Sequence, residues 1–157
     1  MRDDAASIAA GLVRLYGTKL QLLERLLLSE SDKTHYCRSG NLEKVFELVE
    51  ADEGIIGEID AADFDITRAE TSLAALAGVR RRLLYEALRD DRDAGDLVAV
   101  RNRVLGALDR LLAEREGLGA MLKAASGGIR ESIDDLSRLN RLRETDAGDI
   151  DPARRQP

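Results

Sequence analysis

The sequence predicts an all-α fold, an elongated antiparallel helical bundle or coiled coil of three long helices and one short one, with a protruding C-terminal helix. Three observations predict it. Proline is missing from Met1 to Asp151, and proline is the residue that most reliably breaks helices. Apolar residues recur three, four or seven apart along most of the chain. Aromatic residues are confined to Tyr16, Tyr36, Phe46, Phe64 and Tyr85, so Leu, Ile, Val and Ala must set the packing, as in helical bundles.

The first helix is expected from Asp4 to about Cys37, because Ile8, Leu12, Leu15, Tyr16, Leu20, Leu23, Leu26 and Leu27 share one helical face. Arg38, Ser39 and Gly40 interrupt that pattern, and Asn41 is a good N-cap for the next helix. The second helix, Leu42 to Leu76, carries Leu42, Val45, Val49, Ile56, Ile59, Ile66 and Leu73 on a stripe of nearly seven-residue spacing. Asp52 and Asp63 fall in that stripe. Because buried carboxylates are costly, one edge of this helix is expected to be wet or to rotate locally. Gly54 and Gly57 weaken it further, each by about 1 kcal/mol relative to Ala.

Gly78 opens a shorter amphipathic piece, Val79 to about Arg89, and Asp90 to Asp96 reads as a loop whose last residue caps the following helix. In that final helix Leu97, Val104, Leu111, Leu118, Ala125, Ser132 and Leu139 repeat every seven residues, interleaved with Leu108, Leu122, Ile129 and Leu136. The spacing continues across Ser126, Gly127 and Gly128, so the sequence predicts a kinked but continuous helix from Asp96 to about Arg143. Its length would be roughly 70 Å, enough to project beyond the other helices. Residues 1–143 therefore read as one domain, and Glu144 to Pro157, with its Gly and two Pro, as a disordered tail.

Composition narrows the function. The 157 residues carry 24 basic and 30 acidic side chains, a net charge of -6, which argues against a nucleic-acid partner because phosphate neutralisation needs a basic face. No stretch reaches the roughly 18 apolar residues of a membrane span, and Asp3 and Asp4 stand where a secretory leader would be basic. Cys37 is the only cysteine, and a lone thiol suits a reducing compartment. A cytoplasmic protein is expected.

No catalytic, cofactor or metal site is expected. His35 is the only histidine and lies two residues from Cys37, which places the two on different helix faces with no second His or Cys to complete a zinc shell. A His followed by Arg38, Ser39 and Gly40 has some likeness to histidine phosphotransfer domains, whose His lies mid-helix. Here the helix is expected to end at that point. Ser, Lys and carboxylates are abundant, but no spacing gathers a nucleophile, a base and an orienting partner. Arg80, Arg81 and Arg82 read as a solvated face, with contact to an acidic partner as the alternative.

Four segments carry a family resemblance: Leu20-Gln21-Leu22-Leu23-Glu24-Arg25-Leu26; Ser39-Gly40-Asn41-Leu42-Glu43-Lys44-Val45; Leu48 to Asp60; and Leu111 to Leu118 leading into Ile129-Arg130-Glu131-Ser132-Ile133. With them the chain, from Leu12 to about Arg143, resembles the FlgN family of flagellar export chaperones. It departs from that family at Arg115, where Asn is frequent, and at Thr145, near which a Tyr is frequent. The resemblance implies a cytosolic helical chaperone that holds the helical ends of hook-filament junction proteins unassembled and brings them to the export apparatus. Combined with the seven-residue seam, it implies client contacts at Leu118, Met121, Leu122, Ile129, Ile133, Leu136 and Leu139. The other reading of the same seam is a homodimeric coiled-coil adaptor or structural protein, and a more distant reading of the chain is phosphotransfer through His35.

Overall fold

The computed structural model describes the backbone of residues 2–126 and 130–147, and among them the side chains of 3–124 and 136–144. All the regular structure among them is helical: α1 (Arg2–Arg38), α2 (Leu42–Ala77), the one-turn α3 (Leu84–Ala87), α4 (Gly95–Ser126) and α5 (Arg130–Ala147), with 3-10 turns at Arg81–Leu83 and Arg92–Ala94.

The boundaries follow from local chemistry. Gly40 closes α1 at φ 77°, a left-handed conformation that costs a residue without Cβ nothing. Asn41 then starts α2 by accepting a hydrogen bond from the Lys44 amide at 3.2 Å. Gly78, at φ 69°, ends α2, and the Val79 amide returns to the Ala74 carbonyl at 3.0 Å. Gly54 and Gly57 lie within α2 without interrupting it. The segment between α2 and α4 departs from expectation: only Leu84–Ala87 is α-helical there, and α4 already starts at Gly95. The capping aspartate is Asp91, whose side chain accepts from the Asp93 amide at 2.9 Å, while Asp96 sits inside the first turn of α4.

α1 lies between α2 and α4 and packs along both, and α5 packs mainly on α4 with a smaller contact to α2. Lys33 meets Asp52 beside the α1–α2 turn, Lys19 meets Asp63 farther along, and Tyr16 meets Glu70 farther still. Only antiparallel neighbours give that succession. The expected apolar stripes form the core: Leu12, Tyr16, Leu23 and Leu26 of α1, Ile56, Ile59 and Ile66 of α2, and Val104, Leu108 and Leu111 of α4 are almost fully buried together. Each such aliphatic side chain contributes about 1.5–3 kcal/mol.

Two expectations are corrected. The last helix does not run on as a protruding rod: α4 stops at Ser126 and α5 turns back along it, so that Arg143 Nε pairs with Asp109 Oδ1 at 2.6 Å. In a continuous helix those residues would stand about 50 Å apart. Seven-residue spacing cannot distinguish the two cases, because α5 needs an apolar face in either. The proposed tail also begins too early, since α5 continues to Ala147; residues 148–157 lie outside the described residues.

Candidate interaction site and its buried charges

The apolar residues expected to be open are largely covered. Leu118 and Leu122 are 4% and 1% exposed and pack with Val45 and Val49, flanked by the half-buried Tyr36, Cys37 and Leu42 at the α1–α2 turn. Leu139 is fully buried in the main core, and Leu142 joins it there. Leu136 and Met121 are half-buried. Ile129 and the side chain of Ile133 lie outside the described residues. The physical reason is twofold: the α1–α2 turn end covers Leu118 and Leu122, and the return of α5 along α4 buries Leu139 against the main core.

What α5 occupies is a groove between α2 and α4 with an apolar floor and an acidic rim. Leu139 and Leu142, one turn apart, enter the floor among a core that includes Ile56, Ile59, Leu108 and Leu111. Arg138 reaches Glu53 at 3.2 Å and also Asp60, both on α2, while Arg143 reaches Asp109 on α4. These rim pairs are partly or largely exposed, so each is worth little by itself, about 0–1 kcal/mol. The buried leucines carry the seat, and the arginines set the register.

Among α1, α2 and α4 lies a cluster that the sequence did not reveal. Glu30 and Lys33 of α1, Asp52 of α2 and Arg115 of α4 are nearly inaccessible to water. Asp52 Oδ2 accepts from Lys33 Nζ at 2.7 Å and from Arg115 Nη2 at 3.2 Å. Glu30 pairs with Lys33 and, at 3.0 Å, with Arg115 Nε. Two carboxylates and two cations thus cancel. Burial raises the Glu30 pKa above the ordinary carboxylate range, and the opposing pull of Arg115 and Lys33 does not cancel that effect. The expectation that Asp52 and Asp63 would find a wet edge or a rotated helix is therefore overturned: both stay in the stripe, Asp63 held by the buried Lys19 at 2.6 Å.

A third polar layer fastens the α2–α4 connection. Tyr16 and Tyr85 both donate to Glu70 Oε1, the latter at 2.7 Å, Arg81 Nε donates to Oε2 at 3.0 Å, and the Arg101 guanidinium lies 4.0 Å from the Tyr85 ring centre. Burial, and next the Glu70 charge, raise both phenol pKa values. Both therefore stay protonated donors at neutral pH. Arg81 thus belongs to this layer, while Arg80 and Arg82 remain exposed.

The signal for these layers was present but needed two helices to read. Tyr16, Lys19, Glu30 and Lys33 fall near the apolar face of α1, as Asp52, Asp63 and Glu70 do on α2, and opposite charges match across the antiparallel pair.

His35 is exposed in the last turn of α1, its ring edge-on to Tyr36 with centroids 5.4 Å apart. Among the described residues no group of three His, Cys, Asp or Glu is placed to hold a metal ion, and no helix is long and apolar enough to cross a membrane. Large apolar side chains left in water, Leu28, Phe46, Phe64, Leu76 and Leu83, are scattered over α1, α2 and the α2–α4 connection. Comparison of the chain with protein-family models, with curated proteins and with solved structures finds no match in any of the three.

Proposed function

We propose that this chain is a non-catalytic, cytoplasmic export chaperone of the FlgN type, an antiparallel helical bundle that binds the helical ends of flagellar hook-filament junction proteins and keeps them unassembled until secretion. The observation that carries the reading is the seating of α5. An amphipathic helix lies in a groove between α2 and α4, anchored by Leu139 and Leu142 and aligned by the half-buried Arg138 and the exposed Arg143 on acidic rim residues. That is the helix-in-groove mode in which client helices are held, already realised within the chain. A client helix with leucines three apart and flanking basic residues can take the same seat.

The resemblance supports the reading further. Ser39 to Val45 forms the capped turn between α1 and α2, and the Leu48–Asp60 and Leu111–Leu118 segments face one another through Asp52 and Arg115. The client residues implied by the resemblance need one adjustment. Leu118 and Leu122 shape the end of the molecule from inside, and Leu136 and Leu139 become available only when α5 leaves its seat.

The test is titration of the purified chain with a fluorescent peptide from the helical end of a junction protein. A one-to-one complex is expected, and Leu139→Asp, which unseats α5, tightens it about tenfold, corresponding to about 1.4 kcal/mol of relieved competition. Absence of binding to any junction protein would sink the chaperone reading. Weaker binding by Leu139→Asp, with the fold intact, would return the client contact to α5 itself.

A further inference from the structure

None of the described contacts of α5 requires that it belong to the same chain as the groove it fills. Leu139 and Leu142 enter a floor built by other helices, Arg138 pairs with Glu53 and Asp60 of α2, and Arg143 pairs with Asp109 of α4. Along the chain α5 is joined to α4 through residues 127–129, which lie outside the described residues.

The sequence across that junction carries a phase that the hairpin does not use. Leu118, Ala125, Ser132 and Leu139 are spaced by seven, as are Leu122, Ile129 and Leu136. The buried face of α5, centred on Leu139, therefore stands in heptad register with the buried face of α4, centred on Leu111 and Leu118. In a hairpin each arm docks after the reversal, so relative phase is irrelevant. In a single helix that phase keeps both apolar faces on one side once the helix takes the gentle left-handed supercoil of a coiled coil, which removes a drift of about 20° per heptad.

The geometry points to a second arrangement, in which α4 and α5 straighten into one helix of about 80 Å and α5 takes the α2–α4 groove of a second copy, whose own α5 returns the exchange. The directions are compatible. Leu122, near the end of α4, packs beside Val45 and Val49, so α4 ends toward the α1–α2 turn end of the molecule. Two copies meeting at that end about a twofold axis let each α5 enter the other's groove from the same side, and in the same direction, as in the hairpin. Every leucine seat and rim ion pair is then remade between copies, which is the low-cost route to a closed dimer. The exchange stands apart from the chaperone reading, and its test needs no client.

The full-length chain is followed by light scattering over a concentration series. Gly127→Ala with Gly128→Ala favours the straight helix and is expected to tighten self-association by about tenfold or more, the scale that two such helix-interior changes supply. A second experiment mixes two charge-reversed variants, Arg138→Glu and Glu53→Arg with Asp60→Arg. Each alone mismatches its own α5 and groove, whether in a monomer or in a homodimer. In the mixed dimer both seats regain opposite charges, so native mass spectrometry is expected to show the mixed species in excess over either homodimer. Monomers throughout, in the double-alanine variant and in the mixture alike, overturn the inference. A dimer in which the two variants combine at random overturns it too, since its interface is then elsewhere.

Discussion

Removing the Asp52 carboxylate should be among the most damaging single changes in this protein. None of the Glu30, Lys33, Asp52 and Arg115 side chains is more than 5% exposed, and their charges sum to zero. Asp52→Ala leaves Lys33 and Arg115 facing Glu30 alone, a buried excess of one positive charge. Breaking a buried pair in this way costs about 3–5 kcal/mol, because the remaining charge is neither solvated nor matched. Against a total stability of about 5–15 kcal/mol this is a large fraction. For a chain of this length it lowers the melting temperature by about 6–20 °C. Lys33→Met should cost a similar amount, leaving one carboxylate in excess. The double variant restores neutrality around the Glu30–Arg115 pair, so its cost should fall short of the sum of the single costs by about 2 kcal/mol, within the range of contacting pairs. Urea unfolding followed by far-UV circular dichroism measures all three. A loss below about 1 kcal/mol for Asp52→Ala, less than a buried unpaired charge costs, would show that water reaches the cluster. Simple additivity would show that its members do not act together.

Other outcomes follow from the same contacts. Because burial raises the Glu30 pKa in the fold, the stability linked to its titration is fully present below the unfolded carboxylate range and is lost as pH rises through the folded value, with Lys33, Arg115 and Asp52 facing the group. Glu30→Gln should therefore gain stability relative to the parent chain as pH rises, and parallel melts across that range check the sign. Tyr16 and Tyr85, whose phenol pKa values are raised, should yield no tyrosinate absorbance until the fold opens in alkali, so ionisation and loss of helix should coincide. Asn41→Ala removes the α2 cap and should cost about 1 kcal/mol in denaturant unfolding. Leu118→Ala should cost about 2–5 kcal/mol as a cavity beside Val45 and Val49, whereas an open client-facing leucine would lose far less.

How much could be read in advance depends on how local the physics is. The stripe Val45, Val49, Ile56, Ile59, Ile66 and Leu73 and its counterpart on α1 were legible because helical periodicity is a property of one segment. Gly40, Asn41 and Gly78 were legible for the same reason, since caps and turns are settled within a few residues. The candidate groove was not. Leu118, Leu122 and Leu139 looked like one exposed seam because a seven-residue repeat is identical in a straight helix and in two helices that fold together. Asp52 and Asp63 looked like defects because their cations, Lys33, Arg115 and Lys19, lie on other helices.

The sequence by itself thus determined that the chain is helical, where α1 and α2 begin and end, and which faces are apolar, since each of these is set by contacts within a few turns. Only the tertiary structure decided that α5 returns along α4, that four buried charges cancel among α1, α2 and α4, and that Leu118, Leu122 and Leu139 are covered. Those are matters of which surfaces meet across long stretches of chain, where desolvation and pairing energies from separate helices must balance, and no single segment carries that balance.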